Sequence, residues 1–173
     1  STSLSKLIIN HIKKKVQYFK KKKFINNKSS ILDIGSNDGT FLNQFKNSNY
    51  LLGIDPSAEK FKNNYKKYIN LIFNFFSRKN INKDKKFDLV TSFAMFYDVT
   101  DPNLFCSEIY NILKKDGIWV LELSYLPLML KNLTYDQICH EHVAYYTLTS
   151  FKKIAEKNSL KIIDFKMNEI NGG

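Results

Sequence analysis

Residues 31 to 39, Ile-Leu-Asp-Ile-Gly-Ser-Asn-Asp-Gly, read as a short apolar strand that runs straight into a turn and the start of a helix. Glycines let a backbone turn sharply and bring its N–H groups close to a ligand. The helix that follows points its positive dipole end at that ligand. A second apolar run, Leu51-Leu52-Gly53-Ile54-Asp55, ends in a carboxylate. An acid at the tip of a neighbouring strand can accept hydrogen bonds from the two hydroxyls of a ribose. Together the two segments predict a nucleoside-binding α/β domain.

Spacing narrows the nucleoside. A dinucleotide fingerprint is Gly-x-Gly-x-x-Gly, whereas this chain has Asp33-x-Gly35-x-x-x-Gly39, with Ser36, Asn37 and Asp38 between the glycines. An acid at position 33 repels a pyrophosphate but can accept a hydrogen bond from an ammonium group. The pattern resembles motif I of the class I S-adenosylmethionine-dependent methyltransferases. That resemblance implies S-adenosylmethionine as cofactor, the turn from Asp33 to Gly39 as its cradle, and Asp55 as the ribose acid, followed by Pro56 and Ser57. It places Asn74 and Phe75 as a polar–aromatic step against adenine, and Phe93 and Ala94 at the end of the fourth strand beside the cofactor.

The rest of the chain alternates strands and helices, as a largely parallel, doubly wound Rossmann-like sheet with flanking helices requires. Strands are expected at 31–35, 51–55, 71–73, 87–92, 118–123 and 161–166. Helices are expected near 39–47, 55–68, 102–114 and 150–157, with a Lys115-Asp116-Gly117 turn and a loop-rich stretch after strand five. Leu7, Ile8, His11, Ile12, Lys15, Val16 and Phe19 fall at helical spacing, which predicts a basic amphipathic helix from about Ser3 to Lys23. Its expected role is to pack across the sheet or cap the cofactor pocket rather than to lie on a membrane. The expected organisation is one domain, with a basic N-terminal segment (1–28), a cofactor-binding core (31–123) and an acceptor-site segment (124–173).

Charge could suggest a different partner. The formal net charge is +11, and nine lysines with no acid precede Asp33. Yet Arg78 is the one arginine among 27 basic residues, whereas phosphate and base recognition often exploits the bidentate guanidinium. The lysines therefore read as a solvated surface, and nucleic acid is not expected as a partner. The alternative reading is a cofactor-binding or interaction module basic enough to dock on an anionic partner, or a methyltransferase acting on another small-molecule acceptor. No apolar run approaches the roughly 20 residues that span a bilayer, and no signal peptide is evident at the N-terminus. Two cysteines far apart, Cys106 and Cys139, point away from a disulfide framework and towards the cytoplasm.

The segment Tyr135-Asp136-Gln137-Ile138-Cys139-His140-Glu141-His142-Val143-Ala144-Tyr145-Tyr146 holds two of the three histidines, an acid and a tyrosine pair just after strand five. A neutral imidazole can take a proton from a hydroxyl, or from carbon next to a carbonyl, near neutral pH. A nearby carboxylate can orient it, and a tyrosine hydroxyl can hold the substrate. Other roles stay open: His140 and His142 as paired metal ligands, His140 as a structural donor, and Phe93, Phe96 and Tyr97 as pocket wall.

This segment resembles the His-Glu-His stretch of the sugar C-methyltransferases, which act on a keto form of a nucleotide-linked deoxysugar. So do Asp33-Ile34-Gly35-Ser36-Asn37-Asp38-Gly39-Thr40, Gly53-Ile54-Asp55-Pro56-Ser57, Glu122-x-x-Tyr125 and Asn171-Gly172-Gly173. The resemblance implies a nucleotide-sugar acceptor, surface polysaccharide or deoxysugar biosynthesis, and the pair Glu141 and His142 as catalytic, with His142 the base. Asp98 and Tyr146 are the further catalytic candidates. The chain departs from the family at Cys139, usually Tyr, and at Ala94 and Asp98, where many members carry Asn and His. Full-length relatives also begin with a cysteine-rich zinc module and continue into a C-terminal domain. The chain is expected to be either part of a longer protein or a minimal relative.

Overall fold

Five strands form one sheet in the order β3-β2-β1-β4-β5. They are β1 (Ser30–Ile34), β2 (Tyr50–Ile54), β3 (Asn70–Ile72), β4 (Phe87–Phe93) and β5 (Leu113–Glu122). A computed structural model describes residues 5–47, 49–168 and 170. β1 pairs in parallel with β2, Asp33 facing Gly53 and Ile34 facing Ile54, and β2 pairs in parallel with β3. Chain order runs outward from β1 to β3 and then resumes on β1's other side with β4. This is the reversal of a doubly wound, mostly parallel Rossmann-like sheet; in folds of this kind ligands bind beyond the carboxyl ends of the strands.

By internal contacts the chain divides into two compact units, Ser1–Thr91 with Ile112–Val120, and Ser92–Asn111 with Leu121–Gly173. In the first, Ile31, Leu32, Ile34, Leu51 and Ile54 are almost fully buried, as apolar runs in a parallel sheet should be. Helix α1 (Lys6–Lys21) presents Ile12, Val16 and Phe19 inward, with Phe19 edge-on to Phe41 at 6.4 Å between ring centroids. The Ser5 hydroxyl accepts from the Ile8 N–H at the helix start, and Lys20 and Lys21 complement the dipole at its end. The expected start at Ser3 lies outside the described residues.

The second unit is built around Phe96, which is fully buried. Its ring meets Phe105 of α2 (Pro102–Ile112) at 5.6 Å, Tyr146 at 5.2 Å and Phe151 of α4 (Leu148–Lys157) at 5.4 Å. A reciprocal capping box between Thr147 and Ser150 starts α4.

Several elements differ from expectation. The helix expected near 39–47 is only a 3-10 turn at Leu42–Gln44. Asn43 is one reason, since its side chain bonds to the Asn64 carbonyl and the Lys66 N–H and so competes with a local helix. The segment after Asp55 is a 3-10 helix, Pro56–Asn64. Gly117 lies within β5 rather than in a turn; a Cβ there would stand 2.7 Å from the Phe87 carbonyl oxygen, so only glycine admits this approach. Leu126–Asn132, read as loop, forms helix α3 with Pro127 in its first turn. Residues 161–166 carry no strand assignment. Replacing Phe96 by Ala would leave a void among three rings. We expect unfolding free energy to fall by about 3–5 kcal/mol in a denaturant titration, whereas a loss below about 1 kcal/mol would contradict this packing.

Candidate functional site

The turn after β1 is held in an unusual backbone shape. Gly35, Asn37 and Gly39 all have positive φ, at 76°, 47° and 77°. Glycine accepts this freely and asparagine tolerates it best among the others. The Gly35 N–H donates to the Ile54 carbonyl at 2.9 Å, carrying the β1–β2 ladder one residue past the strand tips. Asp55 then joins the two tips: its carboxylate accepts from the Asn37 N–H at 2.8 Å and from the Ser57 N–H at 2.6 Å. The second bond also caps the Pro56–Asn64 helix. Each oxygen keeps acceptor capacity beyond its backbone donor.

Asp33 is buried at the end of β1 and accepts from the Thr91 hydroxyl at 2.6 Å. Burial pushes its carboxyl up to about 7; the Thr91 bond opposes this and the Asp55 charge adds to it. Asp38 is buried as well and accepts from the Thr40 N–H and hydroxyl at 3.2 and 2.6 Å. Ser36 is buried, its hydroxyl 2.9 Å from that of Tyr65. Asn74 and Phe75 form an exposed step beyond β3, the Asn74 side chain accepting from the Phe75 N–H at 2.8 Å.

A second group of candidates belongs to the other unit. There, Ala94 takes a φ of 52° after β4, and its N–H donates to the Glu122 carbonyl at 2.8 Å. Phe93 is half-buried beside it in sequence. The Tyr97 carbonyl accepts both the Val143 and Ala144 N–H groups, at 2.8 and 3.1 Å. This stitching lays the His142 imidazole on the Tyr97 ring, with centroids 3.9 Å apart. The His142 Nδ1 is buried without a hydrogen-bond partner. Burial raises the Tyr97 phenol to about 12, helped by the Asp98, Cys139 and Glu122 charges, so it stays a donor at neutral pH. Partial burial also raises the Asp98 carboxyl, against the pull of His142.

Glu141 and His140 are exposed. The Glu141 carboxyl is held below its usual range, first by a backbone hydrogen bond and then by the Cys139 thiol. Tyr146 sits apart from the imidazole's ring partners: it packs on Phe96, its hydroxyl buried without a partner. Buried Glu122 accepts from the Asn168 amide at 2.9 Å. Among the described residues no three His, Cys, Asp or Glu side chains gather as a metal site. Asn171, Gly172 and Gly173 lie outside the described residues.

Sequence reasoning did not single out Thr91, Tyr65 or the Tyr97–His142 stack. Thr91 left a trace as a polar residue in the apolar run of β4, and Tyr97 and His142 were each named but not paired.

The family model for a methyltransferase domain matches residues 6–164. The chain belongs to the methyltransferase-domain family. It is 25% identical over 171 residues to the C-methyltransferase NovU of Streptomyces niveus, covering 96% of this chain and 41% of NovU. The chain thus spans about two fifths of that relative's length. The plantazolicin methyltransferase BpumL, solved with SAH, superposes with a TM-score of 0.58 at 20% identity, covering 73% of this chain and 53% of BpumL. The YcgJ protein of Bacillus subtilis superposes with a TM-score of 0.59 at 20% identity, covering 77% of this chain and 62% of YcgJ. These two structures share the fold.

The domain's methyl donor is S-adenosylmethionine, and the first unit's residues fit it. Asp33, Asp38 and Asp55 surround a glycine turn, a donor set suited to a cation and hostile to a pyrophosphate. The Asn37 side-chain oxygen is buried with no donor on it, an acceptor that a ligand can satisfy. A carboxylate placed like that of Asp55 can accept from a ribose diol, and one placed like that of Asp33 from an ammonium.

A pH dependence follows from Asp33. Its folded value lies above its unfolded one, so the folded state keeps the proton longer, and the contribution of Asp33 to stability declines as pH rises from about 4 to about 7. A cation prefers the ionised form, so affinity for S-adenosylmethionine should strengthen from about pH 6 to about pH 8. Calorimetry across that range is expected to show this in the parent and a flat profile in Asp33→Asn. Equal pH profiles in the two proteins would contradict the assignment.

Proposed function

We propose that the protein transfers a methyl group from S-adenosylmethionine to a carbon or hydroxyl of a nucleotide-linked sugar. The reaction would belong to surface polysaccharide or deoxysugar biosynthesis and take place in the cytoplasm. The observation that carries the reading is the imidazole of His142 laid on Tyr97, with the charges of Asp98 and Glu141 acting on it. A 25% identity to a C-methyltransferase, over 96% of this chain and 41% of that protein, supports it.

S-adenosylmethionine supplies an electrophilic methyl on a sulfonium, so the acceptor must offer an electron pair. His142 is the base in this reading. It takes the proton from the acceptor's hydroxyl, or from carbon beside its carbonyl, and the freed pair forms the new bond to the methyl as the carbon–sulfur bond breaks. Asp98 and Glu141 are the acids whose charge stabilises the imidazolium this creates. Tyr97, protonated throughout, fixes the ring's plane and can donate to a developing enolate. Asp55 and Asp33 orient the methyl donor.

A positioned base contributes roughly 10²–10⁴-fold, so His142→Ala should lose turnover on that order. Binding of S-adenosylhomocysteine should stay within about twofold of the parent, because the histidine serves the acceptor. The assay is methyl transfer from labelled S-adenosylmethionine to a panel of nucleotide-sugars beside peptide and amine acceptors. Parent-rate turnover in the folded variant would move the base elsewhere. Transfer only to the peptide or amine arms would overturn the sugar acceptor.

A further inference from the structure

We infer that Tyr65 is a positioning residue for the ribose of the methyl donor: its hydroxyl holds the Ser36–Asn37 turn so that the Asn37 N–H fixes the Asp55 carboxylate. The inference rests on Asp55 being the ribose acid.

Tyr65 follows the Pro56–Asn64 helix and is buried. Its ring lies against Gly39, where a Cβ would stand 2.6 Å from the ring. Gly39 is therefore required twice, for its positive φ and for this approach. The hydroxyl donates to the Asn37 carbonyl at 2.8 Å, which leaves it to accept from the Ser36 hydroxyl at 2.9 Å. One donor and one acceptor are thus used on adjacent residues of one turn. Burial, first among its causes, raises the phenol far above its ordinary value, and the charges of Asp33, Asp55 and Asp38 push the same way. The hydroxyl keeps its proton and remains a donor.

Asn37 is the residue that needs such a strut. Its left-handed φ of 47° is strained for a non-glycine residue. It persists where the surroundings over-determine it. Here the turn is gripped through Ser36 on one side and through the Asn37 carbonyl on the other, both by one hydroxyl. The Asn37 N–H between these two grips is the group that donates to Asp55 at 2.8 Å. Free rotation at Asn37 would swing that N–H off the carboxylate and leave Asp55 oriented by the Ser57 N–H alone. A pre-oriented carboxylate binds a diol better than one that must be ordered on binding.

Tyr65→Phe keeps the ring under Gly39 and removes only the hydroxyl. Calorimetry with S-adenosylhomocysteine and with its 2′,3′-dideoxy analogue separates the possibilities. The variant should bind S-adenosylhomocysteine roughly tenfold more weakly while the dideoxy analogue shifts by less than about twofold. In an Asp55→Ala background the Tyr65→Phe penalty should vanish, because the residue it acts through is gone. Unchanged binding in Tyr65→Phe, with Asp55→Ala weakened, overturns the role of Tyr65. Equal loss for both ligands overturns it too, because it would mark general support of the fold. Unchanged binding in folded Asp55→Ala instead overturns the ribose assignment on which the inference stands. If Tyr65→Phe does not fold, Ser36→Ala removes one of the two grips and should show the same ligand selectivity at smaller size; equal loss for both ligands there overturns the role as well.

Discussion

One carboxylate ties the first of the two units together. Asp55 closes the end of β2, caps the helix that follows through the Ser57 N–H, and receives the Asn37 N–H from the turn beyond β1. Two strand tips, a helix start and a left-handed residue therefore share one anion. Charge-assisted bonds to backbone N–H groups are roughly twice as strong as neutral ones, which suits them to hold a turn that is strained in isolation. The register of β1 on β2, with Ile34 beside Ile54, brings these groups within reach.

The same carboxylate and its neighbours set the chemistry the turn accepts. A glycine turn whose N–H groups are unsatisfied is by default an anion site. Here the Asn37 and Ser57 N–H groups are engaged by Asp55, and Asp33 and Asp38 add further acidic groups. Such a turn disfavours a phosphate and favours a cation. Burying Asp33 with a single hydroxyl on it raises its carboxyl into the neutral range, an unfavourable arrangement that a bound cation relieves.

Legibility followed the range of each interaction. The β1 and β2 runs, the period of α1 and the acids of the turn were visible because apolar runs, helix period and motif spacing are local. Asp55 was foreseen at the tip of β2 as a ribose acid, though not its bond to the Asn37 N–H, 18 residues away. Tyr65 and Thr91 were not: they reach the site across 28 and 58 residues, and no local rule marks a tyrosine after a helix as a strut. The Tyr97–His142 stack arises in the same way, from backbone bonds between segments far apart in sequence. The failed helix near 39–47 and the continuous β5 are overrides of propensity by tertiary contact, through Asn43 in one case and the Phe87 carbonyl in the other.

The central claim is that acids around a glycine turn select a cationic nucleoside over a pyrophosphate-bearing one. Side-by-side calorimetry of S-adenosylmethionine and nicotinamide adenine dinucleotide with the intact chain tests it most directly. S-adenosylmethionine should bind and the dinucleotide should give no detectable heat; the reverse order of affinities would contradict the account.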